Sequence, residues 1–278
     1  MTAVIFDGRA FAKEKEDKLV KLLERLPRKP KLVAILVGGS PESELYLKLK
    51  QRMAERLGID FEFKKFPDEK PQKIVGFINQ KNADTEVNGI IVELPLPAGF
   101  QVLDAIKPSK DVDCLTGENL RLLAEGKPRF IPPTVKAVFD ILLKATQVEK
   151  LGDLKDKKIC VVGDRGMVGG PLVSVLRNSG LEVSGANTGT QDLIATTRSA
   201  DILISATGIG RLIKKEMVKP GAVVIDVGIE KKRNLGVAGD VDFENVKEIA
   251  SFITPVPGGV GPVTVVCLME NLIGSVYH

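Results

Sequence analysis

Tyr46 and Lys50 form a candidate acid–base pair in the first half of the chain. They follow Ser40-Pro41, which is typical of a helix start, and their spacing of four places both on one helix face. A lysine at the edge of a buried row can have its pKa lowered until it is a useful base, and a phenol can orient it. A surface pair on an amphipathic helix has the same spacing, and spacing alone favours that simpler interpretation. The apolar row beside the pair would be Leu45, Leu49 and Met53.

Two carboxylates are further candidates. Glu93 lies in the predicted strand Gly89–Leu94, near its carboxyl end, where α/β proteins form ligand crevices, and Pro95 follows at once. Asp113 follows a proline-containing turn and could present its carboxylate to a ligand. A strand terminator and a polar loop explain the same residues without a ligand.

Residue counts restrict the chemistry further. His278 is the single histidine, which makes a Ser-His-Asp triad, a Cys-His pair and a multi-histidine metal site improbable. Cys114, Cys160 and Cys267 lack metal-ligand spacing, so we expect no metal and a reducing, cytoplasmic compartment. Proton chemistry must come from Lys, Tyr, Asp, Glu or solvent.

A glycine-rich turn in the second half could hold a phosphate. The predicted strand Lys158–Gly163 is followed by Gly166, Gly169 and a helical pattern. Glycines let the backbone approach an anion, and amides at a helix start point toward it. The spacing is not the G-x-G-x-x-G of the dinucleotide fingerprint, and a tight turn without a ligand fits it equally well.

The end of the next strand usually selects the cofactor, because an acid there binds a ribose hydroxyl and a base accepts a 2′-phosphate. Residues 185–190 contain neither, although Thr188 could donate a hydrogen bond. Asp164 would repel a 2′-phosphate and Arg165 would attract it, so these residues leave NAD and NADP open.

The segment Thr254–Pro262 is dense in proline and glycine just before the last predicted helix. It could be a rigid connection, or it could form a shaped wall against a flat ligand.

Strand-like and helix-like patterns alternate along the 278 residues. Several of the predicted strands are apolar on both faces, as buried parallel strands are. This alternation predicts an α/β protein with mostly parallel sheets. The predicted strands are Lys31–Val37, Phe61–Phe66, Gly89–Leu94, Lys158–Gly163, Leu181–Ser184, Asp201–Ala206 and Ala222–Val227.

The length predicts about two domains, and the proline-rich segment Gly126–Pro133 is a plausible boundary. We expect a first α/β domain over residues 1–133, completed by a C-terminal helix at 263–278. Residues 134–262 would form a Rossmann-type domain with a doubly wound parallel sheet, and the ligand cleft would lie between the domains.

Charge and hydropathy exclude several classes of function. The net charge of +4 is spread along the chain, and the basic stripe that nucleic-acid binding needs is missing. No apolar run approaches the roughly 18 residues that span a membrane. We therefore expect a small-molecule ligand, with neither nucleic acid nor membrane as a partner.

Taken together, these segments resemble the bifunctional methylenetetrahydrofolate dehydrogenase/cyclohydrolase family. The similarity runs through nearly the whole chain, and Ile253–Pro262 (ITPVPGGVGP) is its most specific motif. The other matching segments are Phe6–Arg9, Tyr46–Lys50, Gly89–Pro97, Lys110–Asp113, Gly163–Pro171, Gly221–Ile229 and Gly239–Val241.

The resemblance implies oxidation of 5,10-methylenetetrahydrofolate by hydride transfer to a nicotinamide cofactor, followed by hydrolysis of the methenyl product to 10-formyltetrahydrofolate. It also implies a cytoplasmic homodimer of one-carbon metabolism that serves purine biosynthesis, with NADP favoured over NAD. The folate nitrogens stabilise the cation, so the protein mainly positions two rings, which suits a chain with one histidine.

The resemblance also assigns roles to residues. Lys50 would be the central catalytic group, with Tyr46 orienting it, Glu93 beside it and Asp113 hydrogen-bonded to the pterin edge. The substrate would be lined by Pro95, Pro255, Val256, Pro257, Gly258, Gly259, Val260 and Pro262. The cofactor would be contacted by Gly163, Asp164, Arg165, Gly166, Val168, Gly169, Thr188, Thr207, Gly208, Asp226, Gly228 and Ile229.

One departure from the family concerns catalysis. Glu93 stands where the family usually has glutamine, and an ionised Glu93 beside Lys50 would favour the ammonium. Because an ammonium is a poor base, we expect hydrolysis to be weakened more than oxidation.

Other departures concern the cofactor and the alternatives. Gly163-Asp164-Arg165 replaces a Gly-Arg-Ser segment, and Asn187–Thr190 replaces one like His-Ser-Lys-Thr, so features associated with NADP are missing. One alternative is therefore a monofunctional, NAD-linked dehydrogenase. Another is a non-catalytic folate- or nucleotide-binding protein, against which the joint retention of Lys50, Tyr46 and Asp113 argues.

Overall fold

The structure, a computed structural model, describes residues 2–39, 41–68, 70–228, 230–232 and 236–277. The chain divides into two compact units. The six-stranded unit contains the residues up to Ala12 and Thr134–Thr264, and the three-stranded unit contains Lys13–Pro133 and the residues from Val265 on.

Helices and strands alternate through the described residues. The helices are α1 (Gly8–Leu23), α2 (Pro41–Leu57), α3 (Pro71–Ala83), α4 (Gly117–Ala124), α5 (Pro133–Thr146), α6 (Gly169–Asn178), α7 (Leu193–Arg198), α8 (Phe243–Val246) and α9 (Val260–Gly274). The strands are β1 (Val4–Ile5), β2 (Lys31–Val37), β3 (Asp60–Phe66), β4 (Gly89–Val92), β5 (Ile159–Val162), β6 (Val183–Ala186), β7 (Ile202–Ser205), β8 (Val223–Asp226), β9 (Glu230–Lys232), β10 (Gly236–Ala238) and β11 (Phe252–Ile253). Short 3₁₀ turns lie at Leu103–Ala105, Leu151–Leu154, Lys215–Met217 and Ser275–Tyr277.

The three-stranded unit is built on a parallel sheet with the order β3-β2-β4. β2 is the central strand, and its residues from Leu32 to Val37 are all buried because both faces are apolar and covered. On one face, Ile74 and Ile78 of α3 complete a core with β2 and β4. The carboxyl ends of β2 and β4 therefore come together at one edge of this sheet.

The six-stranded unit has an all-parallel sheet with the order β1-β11-β8-β7-β5-β6. From β5 the chain passes through α6 to β6 on one side, and then through α7 to β7 on the other side of β5. The strand order thus reverses at β5. Doubly wound sheets bind their ligands at such a reversal, outside the carboxyl ends of the strands.

The α/β prediction with parallel sheets is confirmed, and each of the seven predicted strands is present with its ends shifted by no more than two residues. The missed strands have a physical reason in common. β1 and β11 are only two residues long, so they show no periodicity, and β9 and β10 form a small antiparallel hairpin with strands of three residues each.

The first residues of the chain depart from the expected domain division. They were assigned to the first domain, but β1 pairs in parallel with β11, with Val4 opposite Phe252 and Ile5 opposite Ile253. The six-stranded sheet therefore includes the N-terminal strand. This pairing spans almost the whole sequence and leaves no local signal.

The C-terminal helical segment corrects the expectation about apolar length. Val260–Tyr277 is long and apolar enough to cross a membrane by length and composition alone. More than half of this segment is buried inside the protein, and the core helix of a soluble protein meets the same criteria.

Within the three-stranded unit, α9 is fastened by a buried asparagine. Asn271 is 6% exposed, and its Nδ2 donates to the carbonyl oxygens of Val112 at 2.9 Å and Ile131 at 2.8 Å. The bond to Val112 is buried and the bond to Ile131 is partly buried, so Asn271 holds the turn that carries Asp113.

We expect Asn271→Ala to lower the free energy of unfolding by about 2–4 kcal/mol, because it removes the Asn271 donor from both carbonyls. Thermal and urea denaturation measure the loss. The exposed Asn245, whose side chain donates to Asp242 in the part of the chain that the structure describes, provides the control, since Asn245→Ala should change stability by less than about 0.5 kcal/mol. Equal effects of the two variants would contradict the assignment.

Candidate active site

Three predicted catalytic side chains form one buried cluster in the three-stranded unit. Lys50 Nζ lies 2.7 Å from Glu93 Oε1 and 3.9 Å from Asp113 Oδ2. The side chains of Lys50 and Glu93 are 12% and 4% exposed. The ammonium therefore has one direct carboxylate partner and a second carboxylate within reach.

The electrostatics of this cluster agree with the expectation that Glu93 favours the ammonium, and they differ from the lowered pKa that an apolar environment alone would give. Burial acts to lower the pKa of Lys50, but the negative charges of Asp113 and Glu93 outweigh it, so the pKa is raised. The apolar row also differs from expectation, because Leu45 and Leu49 are exposed and only Met53 is buried. Lys50 is thus an ammonium held by carboxylates and not a base freed by an apolar environment.

The neighbours of Lys50 have shifted pKa values as well. Burial raises the pKa of Asp113, and the charges of Glu93 and Asp111 act in the same direction, while Lys50 opposes them. Burial also raises the pKa of Tyr46, and the positive charge of Lys50 acts to lower it. Tyr46 is therefore a neutral phenol one helical turn before the ammonium.

Glu93 is placed by the end of the sheet. Its backbone N–H donates to the carbonyl of Ile35 at 2.8 Å, which continues the pairing of β4 with β2 beyond the last residue of the strand. The Ser43 hydroxyl donates to the Leu94 carbonyl at 3.0 Å and joins the start of α2 to the same point. The Leu94–Pro95 peptide is cis, and Pro95 is exposed.

Asp113 is placed by a turn that a second aspartate organises. Asp111 is 1% exposed, and its carboxylate accepts from the amides of Leu115 and Thr116 and from the side chains of Thr116 and Asn119. Cys114 has φ of 58°, in the left-handed region that favours glycine. Sequence reasoning treated Asp111 as part of a polar loop and missed its anchoring role, which the nearby Thr116 and Asn119 could have indicated.

In the six-stranded unit, the glycine-rich turn has a shape that only glycine permits. Gly163 has φ of 87°, and a Cβ there would lie 2.5 Å from the Ala206 carbonyl oxygen. A Cβ at Gly169 would lie 2.1 Å from the Gly163 oxygen. Gly166, between them, is exposed, and Val168 is half-buried before α6. This bare backbone ahead of a ten-residue helix fits a phosphate group.

The charged residues of this turn differ in their surroundings. Asp164 is half-buried, its Oδ1 accepts from Asn187 Nδ2 at 2.8 Å, and its Oδ2 packs against the Cα of Gly185. Arg165 is exposed and forms no ion pair with any residue that the structure describes. Thr188 is exposed at the end of β6.

The loops after β7 and β8 complete this edge of the sheet. Thr207 is half-buried and Gly208 is exposed after β7. Asp226 is 2% exposed, and both its oxygens accept from backbone amides, so any action of Asp226 on a cofactor must pass through the loops that it holds. Gly228 lies in the same network, and the expected cofactor contact Ile229 lies outside the described residues.

Sequence reasoning missed the partners of Asp226. Asp240, Ser205 and Thr254 are fully or almost fully buried polar residues in the same network. Ser205, like Asp226, is a polar residue at the end of an otherwise apolar strand, and this signal could have indicated it.

The proline- and glycine-rich segment packs within the six-stranded unit against the start of α1. The Gly8 N–H donates to the Gly258 carbonyl at 3.0 Å, and a Cβ at Gly8 would lie 1.9 Å from the Gly259 oxygen. The Val256–Pro257 peptide is cis. Pro257 is exposed, Pro255, Val256, Gly258 and Pro262 are half-buried, and Gly259 and Val260 are buried.

These features define a class of protein: a two-unit α/β enzyme, with a Rossmann-like nucleotide-binding sheet in one unit and a buried lysine–carboxylate cluster in the other. Comparison with known proteins gives the family. Residues 6–113 match the family described as tetrahydrofolate dehydrogenase/cyclohydrolase, catalytic domain, and residues 132–278 match the NAD(P)-binding domain of the same name. The chain belongs to the tetrahydrofolate dehydrogenase/cyclohydrolase family.

Individual relatives agree over nearly their whole length. The bifunctional protein FolD of Bacillus licheniformis is 41% identical over 99% of this chain and 98% of its own. The FolD dehydrogenase/cyclohydrolase structure from Campylobacter jejuni is 36% identical, with a TM-score of 0.92 and 99% of both chains covered. A Trypanosoma brucei FolD structure, complexed with NADP cofactor and inhibitor, is 32% identical with a TM-score of 0.91, covering 99% of this chain and 97% of that one.

The buried Asp226 should make stability depend on pH. Burial raises the pKa of Asp226 to about 7, and Asp240 adds to the shift while backbone donors oppose it. Because this pKa lies above that of an unfolded aspartate, the contribution of Asp226 to the free energy of unfolding is complete below about pH 4 and is lost as the pH rises through about 7. This contribution is roughly 4 kcal/mol.

We therefore expect the midpoint temperature of unfolding to decrease as the pH is raised from 5 to 8. Asp226→Asn should make this decrease smaller, whatever the stability of the variant at pH 5. Scanning calorimetry across the range measures both. Asp201→Asn is the control, because the pKa of Asp201 is lowered and its contribution is already complete at pH 5. An unchanged slope in Asp226→Asn would refute this account.

Proposed function

We infer that this chain catalyses both reactions for which its family is named. It oxidises 5,10-methylenetetrahydrofolate to the methenyl form and then hydrolyses that product to 10-formyltetrahydrofolate. The observation that carries the inference is the buried cluster in which Lys50 contacts Glu93 at 2.7 Å with Asp113 at 3.9 Å, in a chain of this family. A nicotinamide dinucleotide, when bound, accepts the hydride.

The three cluster residues would share the work on the folate. Lys50 carries a positive charge and can release a proton. The neutral amine that remains is then the base for the attack of water. Asp113 accepts hydrogen bonds from the donor edge of a pterin, and the neutral phenol of Tyr46 orients the lysine. The exposed Pro95 and the segment from Pro255 to Pro262 are the proposed lining of the folate site.

Glu93 sets the balance between the two reactions. Its contact with Lys50 keeps the lysine protonated, so only a small fraction is the free amine near neutral pH. Hydride transfer needs no proton from this lysine, whereas water attack needs a base. The cluster therefore favours oxidation and slows hydrolysis.

Glu93→Gln should raise the cyclohydrolase rate relative to the dehydrogenase rate by up to about tenfold, because losing a neighbouring carboxylate lowers a lysine pKa by about one unit. Both rates are measured on one preparation, with hydrolysis followed from the methenyl compound. Glu55→Gln, an exposed change on α2 away from Lys50, should leave the ratio unaltered. A ratio that stays constant or falls in Glu93→Gln would exclude this role.

The dinucleotide is proposed to bind over the turn from Gly163 to Gly169, with NADP preferred. The supporting observation is Arg165, which is exposed on this turn and available to a 2′-phosphate, while Asp164 is already engaged by Asn187. The similar Trypanosoma brucei protein has NADP bound. The further proposed contacts are Val168, Thr188, Thr207, Gly208 and Gly228.

NAD is the second candidate, and a specific observation favours it. The carboxylate of Asp164 lies against Gly185 of β6, near the strand end where an acidic residue would bind a ribose hydroxyl and repel a 2′-phosphate.

Reduced-nicotinamide absorbance with 5,10-methylenetetrahydrofolate and each dinucleotide tests both candidates. We expect faster turnover with NADP, a loss of that preference of about tenfold in Arg165→Ala, and a gain in Asp164→Asn. Arg198→Ala, exposed at the end of α7, is the matched control. If turnover is faster with NAD and this preference is lost in Asp164→Ala, the cofactor is NAD. If there is no turnover with either dinucleotide, the proposed dehydrogenase activity is refuted.

The remaining proposals concern context. We propose a cytoplasmic homodimer whose product serves purine biosynthesis, as the family resemblance implies. Cys114, Cys160 and Cys267 are buried, and none of them is in a disulfide in the part of the chain that the structure describes, which agrees with a reducing compartment.

A further inference from the structure

Two buried carboxyl groups in the six-stranded unit have no part in the chemistry proposed above. Asp226 ends β8 and is 2% exposed, and Asp240 follows β10 and is 0% exposed. Among the residues that the structure describes, neither forms an ion pair with a lysine or an arginine. Burying two acidic groups without a cation is costly, so a function is needed to explain them.

Asp226 holds its own loop and the segment after β10 together. Its Oδ1 accepts from the backbone amides of Gly228 and Asp240, each at 3.0 Å, and its Oδ2 accepts from the amide of Val241 at 2.9 Å. The Thr254 hydroxyl accepts from the Asp226 amide at 2.8 Å, which adds the end of β11 to the network.

Asp240 holds the loop after β7. Its Oδ2 accepts from the Ser205 hydroxyl at 2.8 Å and from the Thr207 amide at 2.6 Å. Its Oδ1 is buried and has no hydrogen-bond partner among the described residues. A Cβ at Gly228 would lie 1.8 Å from this oxygen, so the carboxyl group packs directly on the backbone of the loop after β8.

The arrangement is reciprocal. Asp240 packs on Gly228, and Asp226 packs on Gly239, where a Cβ would lie 2.0 Å from Asp226 Oδ2. Each carboxyl therefore occupies the space that a side chain on the opposite segment would need. The two aspartates therefore hold the segments 226–228 and 239–241 together, and Asp240 also holds Thr207.

We propose that Asp226 and Asp240 are a positioning pair for the dehydrogenase reaction, which holds the loops after β7 and β8 in the shape that receives the dinucleotide. This inference rests on the proposed binding of the dinucleotide over the turn at Gly163. The loop after β7 borders that turn directly, because a Cβ at Gly163 would lie 2.5 Å from the Ala206 oxygen. The amide that Asp240 fixes belongs to the next residue, Thr207.

The charges of the pair support a shared role. The groups that face Asp226 are the amides of Gly228, Asp240 and Val241, the Thr254 hydroxyl and the carboxyl of Asp240. Burial raises the pKa of Asp226 to about 7, the charge of Asp240 acts in the same direction, and the backbone amides oppose the shift. The two carboxyl groups therefore act on each other as well as on the segments that they hold.

Asp240→Ala tests the pair, because it removes the acceptor of the Thr207 amide. We expect the KM and Kd for the dinucleotide to rise about tenfold or more, while the cyclohydrolase rate, assayed from the methenyl compound without dinucleotide, stays within about twofold. Asp240→Asn should restore both constants to within about threefold, because its amide oxygen still accepts from Ser205 and Thr207. Asp242→Ala, two residues on and paired with Lys214, should change neither.

Three outcomes would overturn the proposal: an unchanged dinucleotide KM in Asp240→Ala, equal impairment of Asp240→Asn, or a parallel loss of both activities, which would show a merely structural role. If Asp240→Ala does not fold, Ser205→Ala decides, since loss of one donor should raise the dinucleotide KM about threefold and an unchanged KM would contradict the pair. A wild-type chain that neither binds nor reduces a dinucleotide would refute the proposed function instead.

Discussion

The contact between a buried ammonium and a buried carboxylate governs the three-stranded unit. Lys50 could not remain charged at 12% exposure without Glu93 and Asp113, and an unpaired ion there would cost several kcal/mol. The surrounding elements serve this requirement. β4 ends one residue before Glu93, Ser43 fastens α2 to the strand end, and Asp111 and Asn271 shape and hold the turn of Asp113.

The six-stranded unit presents the opposite electrostatic problem. Asp226 and Asp240 are carboxyl groups without a cation among the described residues, and backbone amides and hydroxyls solvate them instead. Partial charges fixed in the backbone can stabilise an anion only if the loops that carry them are themselves held in place. In the three-stranded unit, carboxylates hold a charged lysine in place, whereas in the six-stranded unit carboxyl groups hold backbone segments in place.

Periodicity predicted the fold well where strands were long enough to show it, and poorly where pairing was short and distant. The predicted ends of β2 match the structure because six consecutive apolar residues follow Lys31, whereas β1 and β11 consist of two residues each. The site followed the same rule. Tyr46 and Lys50 share a local helix face, but the contact between Glu93 and Lys50 joins residues that are 43 positions apart, and no local pattern contains it. The raised pKa of Lys50 depends on Asp113 and Glu93, which agrees with the expectation that Glu93 would favour the ammonium.

The pairing of β1 with β11 has a consequence for synthesis of the chain. Val4 is synthesised long before its partner Phe252, because most of both units lies between them in the sequence. The three-stranded unit likewise lacks its last helical segment until the residues after Val265 appear. Neither unit can therefore complete its native core until distant segments of the chain have been made, and contacts between such segments are slow to form and leave incomplete cores exposed in the meantime.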